Sequence, residues 1–271
     1  MNIENILIAS VFMLIVFVLL GIGMAYPAQK LRVEEDPRID EVNNRLPQAN
    51  CGACGKAGCR GFAEAVVLGE LDPGKCTVSS LAVKKGIAEY LGVTVNEHEK
   101  MTARLACAGG TNVARNKADF SGVDTCRDAA RSGGGKGCVW GCLGLGDCAR
   151  ACDFGAITMN EHGLPAVDSA KCTACKECVI VCPKKLFSIV PESLPLWVAC
   201  KNLQTGQPAK EECKVACTGC GNCVTDAPKG LIKIVDGLAV IDYDSGLPLT
   251  EKPTKQCPTG AIVWLGGKKN D

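Results

Sequence analysis

Cys172–Thr173–Ala174–Cys175–Lys176–Glu177–Cys178–Val179–Ile180–Val181–Cys182–Pro183 has the spacing C-x2-C-x2-C-x3-C-P. In bacterial two-cluster ferredoxins this run binds [4Fe–4S], and its fourth cysteine ligates the neighbouring cluster. The proline that follows stops the chain from continuing as helix. The run predicts an electron carrier. It sets the expected fold class as α+β: a single N-terminal transmembrane helix, a small helical 4Fe-4S domain, then tandem bacterial ferredoxin-like modules of βαβ type.

Twenty of the 271 residues are cysteine, and aromatic residues make up only 4%, which is low for a large packed core. Such a chain is held together by disulfides or by metal centres. Cysteines two residues apart on a tight loop converge on a metal more easily than they form separate disulfides. Cluster thiolates need a reducing compartment, which places the cysteine-bearing part in the cytoplasm. A net charge of +1 with 22% charged residues gives no support to nucleic-acid binding.

Residues 6–26, ILIASVFMLIVFVLLGIGMAY, carry no charge. That length suffices for one crossing of the hydrocarbon core, so residues 1–28 are expected to be a transmembrane anchor. No Lys or Arg precedes the run and it is long for a signal-peptide core, which disfavours cleavage, although Ala25 could end a small-residue cleavage site. Lys30 and Arg32 follow the helix while Glu4 precedes it. The positive-inside rule then gives a single-pass protein of the cytoplasmic membrane with its cluster domains on the cytoplasmic side. Glu34, Glu35 and Asp36 weaken that charge argument, but the cysteine argument agrees with it. Residues 29–48, polar and containing Pro37, are expected to be a linker that lets the head swing.

The cysteines fall into groups. Cys51, Cys54, Cys59 and Cys76 form C-x2-C-x4-C-x16-C with Gly52, Gly55 and Gly58 between them. Glycines let the backbone approach a cluster and point amides at sulfur. A short helix is expected between Cys59 and Pro73, with a second at about 78–91, inside a 4Fe-4S domain at 49–100. A structural zinc site is the alternative for this group alone. A connecting segment at 101–135 leads to a double ferredoxin module at 136–190. Its halves are Cys138-x3-Cys142-x5-Cys148-x3-Cys152 and the run quoted above. The ligand-swap rule assigns Cys138, Cys142, Cys148 and Cys182 to one centre, and Cys172, Cys175, Cys178 and Cys152 to the next. CDFGAI at 152 and CPTGAI at 257 are near copies, with CPKKLF at 182 between them, and Asp153 stands where the usual Pro would be.

Residues 191–271 read as a third, degenerate module. Cys217, Cys220 and Cys223 keep the triad spacing, the fourth position is Ala227, and Cys257–Pro258 survives. The swap rule pairs the triad with Cys257 and removes the second cluster together with all its ligands. Cys107, Cys126, Cys200 and Cys213 remain. They make one further set, a possible fifth cluster beside four others, provided that loops at 105–126 and 198–213 meet. The alternative is four free structural cysteines.

The remaining signals are weaker. Ser132-GGGKG has a Lys followed by Gly where a phosphate loop needs Ser or Thr, so it is expected to be a flexible approach to Cys138. His98 and His162 are isolated. Trp140 and Trp197 are expected to shield clusters. The sequence has no nucleophile elbow and no Rossmann fingerprint, so no catalytic residue and no bond-making site is expected.

A membrane helix, then LPQANCGACGKAGCRGFAEAV with Cys76, then CVWGCLGLGDCARAC and CTACKECVIVCPKKL, resembles the B subunit of the Rnf complex over nearly the whole chain. That complex is an ion-translocating ferredoxin:NAD oxidoreductase. The 51–76 module alone also resembles a domain of corrinoid iron–sulfur proteins; the membrane helix joined to it favours Rnf. The resemblance implies a subunit that takes electrons from reduced soluble ferredoxin and feeds membrane partners of the A, C, D, E and G type. The 51–76 module, nearest the membrane helix, is then the expected exit. A polyferredoxin subunit of another membrane oxidoreductase and a membrane-tethered zinc-binding protein are the alternatives.

Overall fold

The computed structural model describes residues 3–30, 35–96, 99–118 and 122–265. His98 and residues 31–34 of the expected linker lie outside the described residues. The first helix, α1, spans Ile3–Lys30. At 28 residues it is about 42 Å long at 1.5 Å per residue. Its side chains are described for Leu7, Ile8 and residues 10–25, and Leu14, Phe17 and Met24 among them are exposed. Among the described residues no helix is long and apolar enough to cross a membrane.

α2, Pro37–Arg45, occupies most of the expected linker. Asp36 caps it by accepting from the Arg38 N–H, and Pro37 supplies a pre-set φ at the first helical position. Ile39, Val42 and Leu46 recur at helical spacing and are buried against Phe62, Ala63 and Val66 of α3, Gly58–Val67, and Ile87 of α4, Leu81–Leu91. The linker expectation is therefore corrected over residues 37–46. The segment is polar in bulk, but three apolar residues on one face are enough to seat a short amphipathic helix. α3 ends before Pro73 and α4 closes on the left-handed Gly92.

The rest of the chain forms two copies of one six-element pattern. In the first copy, β1, Met101–Leu105, is followed after a long insertion carrying α5, Cys126–Arg131, by α6, Asp147–Arg150. Then come β2, Ile157–Met159, β3, Pro165–Val167, α7, Glu177–Val181, and β4, Phe187–Pro191. In the second copy, β5, Leu196–Val198, is followed by α8, Gly206–Glu212, within an insertion, and by α9, Asn222–Asp226. β6, Ile232–Val235, β7, Leu238–Ile241, α10, Lys252–Lys255, and β8, Ile262–Trp264, complete it.

In each copy the outer strands pair with each other, β1 with β4 and β5 with β8, and the middle strands form a hairpin. Every one of these pairs is antiparallel. The βαβ expectation holds only for chain order: a strand–helix–strand run such as β3–α7–β4 never pairs its own two strands. The expected connecting segment at 101–135 is also corrected, because it supplies β1, an outer strand of the first copy. Five of its residues pair with β4, from Met101↔Pro191 to Leu105↔Phe187. The Trp197 indole donates to the Leu105 carbonyl at 2.9 Å and joins the copies at that strand's end.

Replacing Val42 with Asp puts a charge at a position with no solvent exposure, which costs several kcal/mol. The expected outcome is protease sensitivity confined to residues before about 95 and loss of about four iron atoms per chain. Full iron content and an unchanged digestion pattern would return the segment to a linker.

Candidate metal centres

The three near-copies that begin at Cys152, Cys182 and Cys257 fold into the same turn. In each, the amide of the third residue after the cysteine bonds back to the cysteine carbonyl: Gly155, Lys185 and Gly260, at 3.1, 3.0 and 3.3 Å. Those three residues all have positive φ. The next two residues enter β2, β4 and β8, so each turn fixes a thiol at a strand's start. Asp153 replaces Pro without altering the turn, because only the third position needs the left-handed conformation.

A second local pattern places the third cysteine of each triad. Ala174 and Lys176 flank Cys175, and Gly219 and Gly221 flank Cys220; all four have positive φ. Cys178 and Cys223 then sit one residue inside α7 and α9. Gly144 and Gly146 adopt the same conformations before Cys148 in α6, but the residue between them is Leu145. Gly144 and Gly219 both lie against a hairpin-turn glycine. A Cβ on Gly144 would stand 3.0 Å from the Gly163 carbonyl oxygen, and one on Gly219 2.8 Å from that of Gly237.

All twenty predicted cysteines line one of five spaces, four to each. Cys51, Cys54, Cys59 and Cys76 surround the first. Cys152, Cys172, Cys175 and Cys178 surround the second. Cys126, Cys142, Cys148 and Cys182 surround the third, and Cys107, Cys138, Cys200 and Cys213 the fourth. Cys217, Cys220, Cys223 and Cys257 surround the fifth. Each space holds 330 to 370 Å³ free of protein atoms. Among the described residues no three Cys, His, Asp or Glu side chains converge closely enough to hold a single metal ion. Zinc would draw four sulfurs to within about 2.3 Å of one point. Four thiols ringing an open volume suit a cubane, whose irons are spread over its corners.

The partition drawn from spacing is corrected at two residues: Cys126 and Cys138 exchange places. Leu145 leaves the first ferredoxin half without its middle ligand, and Cys126 from the insertion fills that side. Arg150 of α6 holds α5 in place by donating to the Asp124 carbonyl at 2.9 Å. Cys138 is drawn the other way. Gly137 N–H donates to Arg115 O, and Arg115 N–H donates to Glu212 O, at 2.8 and 2.9 Å, which lays Cys138 beside Cys213. The two insertions do meet, through an Ala114↔Cys213 bridge and an Ala108 N–H to Ala199 O bond at 3.0 Å. The fourth space is therefore built between the two copies.

Burial pushes the Cys142 and Cys178 thiols up to about 12, and those of Cys148, Cys200 and Cys223 up to about 11. Cys257 moves the other way. Burial still raises it, but the amides of Ile262, Thr259 and Ala261 and the Thr259 hydroxyl together outweigh that effect. Backbone N–H groups also reach sulfur from Ala156 to Cys152 at 3.3 Å, Leu186 to Cys182 at 3.5 Å and Ala103 to Cys172 at 3.4 Å. Ser79 Oγ lies 3.1 Å from Cys76 Sγ. Such donors tune cluster potentials.

Spacing arguments missed Lys136. Far from being a flexible approach, its ammonium donates to the carbonyls of Gly109 and Cys142 and lines the fourth space. A lone Lys between glycines, two residues before a ligand, was the available signal. Trp140 lines the same space, whereas Trp197 is buried at the strand junction and lines none of the five. His162 is exposed in part, near Glu161.

Residues 46–78 match the family described as "Putative Fe-S cluster", and residues 137–186 match the "4Fe-4S dicluster domain". The chain is 41% identical over 260 residues to the B subunit of the Na(+)-translocating ferredoxin:NAD(+) oxidoreductase complex of Acetobacterium woodii, covering 95% of this chain and 78% of that protein. The B subunit of the ion-translocating oxidoreductase complex of Methanosarcina acetivorans is 37% identical, over 83% of this chain and 85% of that one. The B subunit of the proton-translocating ferredoxin:NAD(+) oxidoreductase complex of Clostridium ljungdahlii is 35% identical, over 96% and 92%. With identity at this level along most of both chains, and with [4Fe–4S] clusters as its cofactors, the chain belongs to the family of B subunits of ion-translocating oxidoreductase complexes of the Rnf type, as an electron-transfer subunit.

Proposed function

We propose that this protein is a membrane-anchored wire of five [4Fe–4S] centres. It accepts electrons from reduced soluble ferredoxin and delivers them to the membrane subunits of an Rnf complex, which translocates ions and reduces NAD. The observation that carries the reading is the serial arrangement of the five cysteine rings.

Neighbouring rings lie near one another in one order. Cys175 is raised chiefly by burial, and Cys51 is among the thiols near enough to add to that. Cys178 is likewise raised by burial, then by its own ring, then by Cys148 of the next ring. Cys142 N–H donates to Cys107 Sγ at 3.4 Å, and Cys217 N–H donates to Cys200 Sγ at 3.3 Å. The series therefore runs from the Cys51 ring through the Cys175, Cys148 and Cys107 rings to the Cys217 ring. The clusters supply one-electron chemistry. The protein's part is to set their spacing, exclude water and aim amides at sulfur.

The Cys217 ring is the proposed electron input, because Cys220 is the single exposed cysteine of the twenty. The Cys51 ring is the proposed exit, because it follows α1. Anchoring by α1 is supported by the uncharged run at 6–26 and by the exposed apolar side chains described along the helix. A cytoplasmic location for the rings is supported by the reducing environment that twenty free thiols need. The proposed partners are subunits of the A, C, D, E and G type, ferredoxin and the membrane.

Iron and acid-labile sulfide in the anaerobically reconstituted chain test the reading: five cubanes require about 20 of each per chain. Zinc without sulfide would sink it. Paired substitutions test the partition. Cys126→Ala with Cys213→Ala breaks two rings and should leave about 12 iron atoms, whereas Cys138→Ala with Cys213→Ala breaks one and should leave about 16. The reverse outcome would restore the partition by spacing.

Polarity of the wire has its own test. Cys51→Ala should leave rapid bleaching of the remaining clusters by reduced ferredoxin, yet lower ferredoxin-dependent NAD reduction by the assembled complex at least about tenfold. Loss of bleaching with NAD reduction preserved would reverse input and exit.

A further inference from the structure

We infer that Lys136 raises the reduction potential of the Cys107–Cys138–Cys200–Cys213 centre and makes it the most readily reduced stop inside the wire. This rests on the five-centre reading above.

Lys136 is held from both ends. Its backbone bridges to Asn116, and Gly137 N–H bonds Arg115 O at 2.8 Å. Its ammonium donates to Gly109 O and, at 2.7 Å, to Cys142 O. The flanking sequence makes room for this pose. A Cβ on Gly137 would lie 1.8 Å from Glu212 Oε2, and one on Gly141 would lie 3.2 Å from Lys136 Cδ. Glycine at 141 leaves room for the lysine stem, and glycine at 137 leaves room for Glu212.

The charge is not neutralised by a carboxylate. Among the described residues no Asp or Glu forms an ion pair with Lys136; the nearby Glu212 pairs with Lys117 at 2.9 Å. The cation's two partners are backbone carbonyls, one of them belonging to Cys142 of the adjoining ring. Lys136 counts among the influences that pull Cys138, Cys142 and Cys213 down against the larger effect of burial.

A cubane on four thiolates is an anion, and reduction adds a further negative charge. A fixed cation at the ring stabilises the reduced form more than the oxidised one, and a half-buried charge is screened less than an exposed one. Among the described residues no other lysine or arginine lines any of the five rings except Lys201 at this same ring, Lys184 at the Cys148 ring and Lys176 at the Cys175 ring. Lys201 turns its ammonium away to Lys185 O. Lys136 alone among these is pinned between two rings.

The test uses the full chain, reconstituted as wild type and as Lys136→Met, Lys136→Gln and Lys136→Arg. Each is assayed for iron and sulfide and titrated by EPR against ambient potential. Cys213→Ala identifies the signal of the fourth ring. In the Met and Gln variants that signal should titrate lower. Its reduced-to-oxidised ratio at fixed potential should fall about tenfold, which is about 59 mV for one electron. Arg should restore it. Full iron content with no shift, or a shift in a different signal only, overturns the inference and leaves the five-centre reading standing. Iron loss in both neutral variants makes Lys136 a brace and also overturns it. Wild-type protein with about 16 iron atoms overturns the five-centre reading first.

Discussion

Every ring in this protein holds at least one buried cysteine, and a buried thiol resists giving up its proton. Burial raises Cys142 and Cys178 to about 12. Iron displaces such protons outright, so metal binding and folding are linked. The apolar cores show why that linkage is needed. The first copy buries Ala103, Ile157 and Phe187 around Cys148 and Cys178, with Leu105, Val167 and Ile189 partly buried against them, and the second buries Leu196, Leu231, Ile232, Ile241 and Ile262 around Cys217 and Cys223. The ligands are themselves part of each core. Strands of three to five residues, paired two by two, cannot stand alone.

The fourth ring extends this logic from inside a copy to the joint between copies. Cys107 and Cys138 come from the insertion of the first copy, and Cys200 and Cys213 from the insertion of the second. Around them the joint has a small apolar cluster of Ala114, Ala209, Cys213 and Ala216. Alanines bury little area, so hydrophobic contact there is weak at roughly 25 cal/mol per Å². A metal group bridging the insertions would fix the distance and orientation of the copies far better than that contact does. The same group is the conductor between them, so the joint cannot loosen without breaking the path.

What could be read in the sequence follows from how local each signal is. The triads at Cys172 and Cys217 and the turns at Cys152, Cys182 and Cys257 are local, and the swap rule paired them as the structure brings them together. The Cys126–Cys138 exchange was hidden because Leu145 occupies a ligand position without disturbing the flanking left-handed residues. The replacement arrives from nineteen residues upstream in α5. Cys138-x3-Cys142 looked like the opening of a half, but those two cysteines face different rings. α2 was hidden by composition: its polar residues outnumber Ile39 and Val42, and only the fold reveals what those two touch. Lys136 was hidden because an anchoring ammonium needs partners, Gly109 and Cys142, that no spacing rule names.

One end of the proposed wire differs from the rest in the exposure of a single cysteine. Cys220 is exposed at the C-terminal ring, the end at which a soluble donor is proposed to come within tunnelling reach. Every ring also holds at least one buried cysteine, Cys138, Cys148, Cys178 and Cys213 in the inner rings and Cys59, Cys217 and Cys223 in the outer two. The cation proposed to favour reduction of the Cys107 ring would place a dip in energy one step in from the Cys217 ring. A dip holds an electron that has entered until the next centre is free to take it, and it discourages return to the donor. The cost is a steeper climb at the next step, toward the Cys148 ring. That climb is sustainable only if electrons are removed promptly beyond the Cys51 ring, so under the proposed polarity rapid onward transfer at that end is what makes such a well useful instead of a trap.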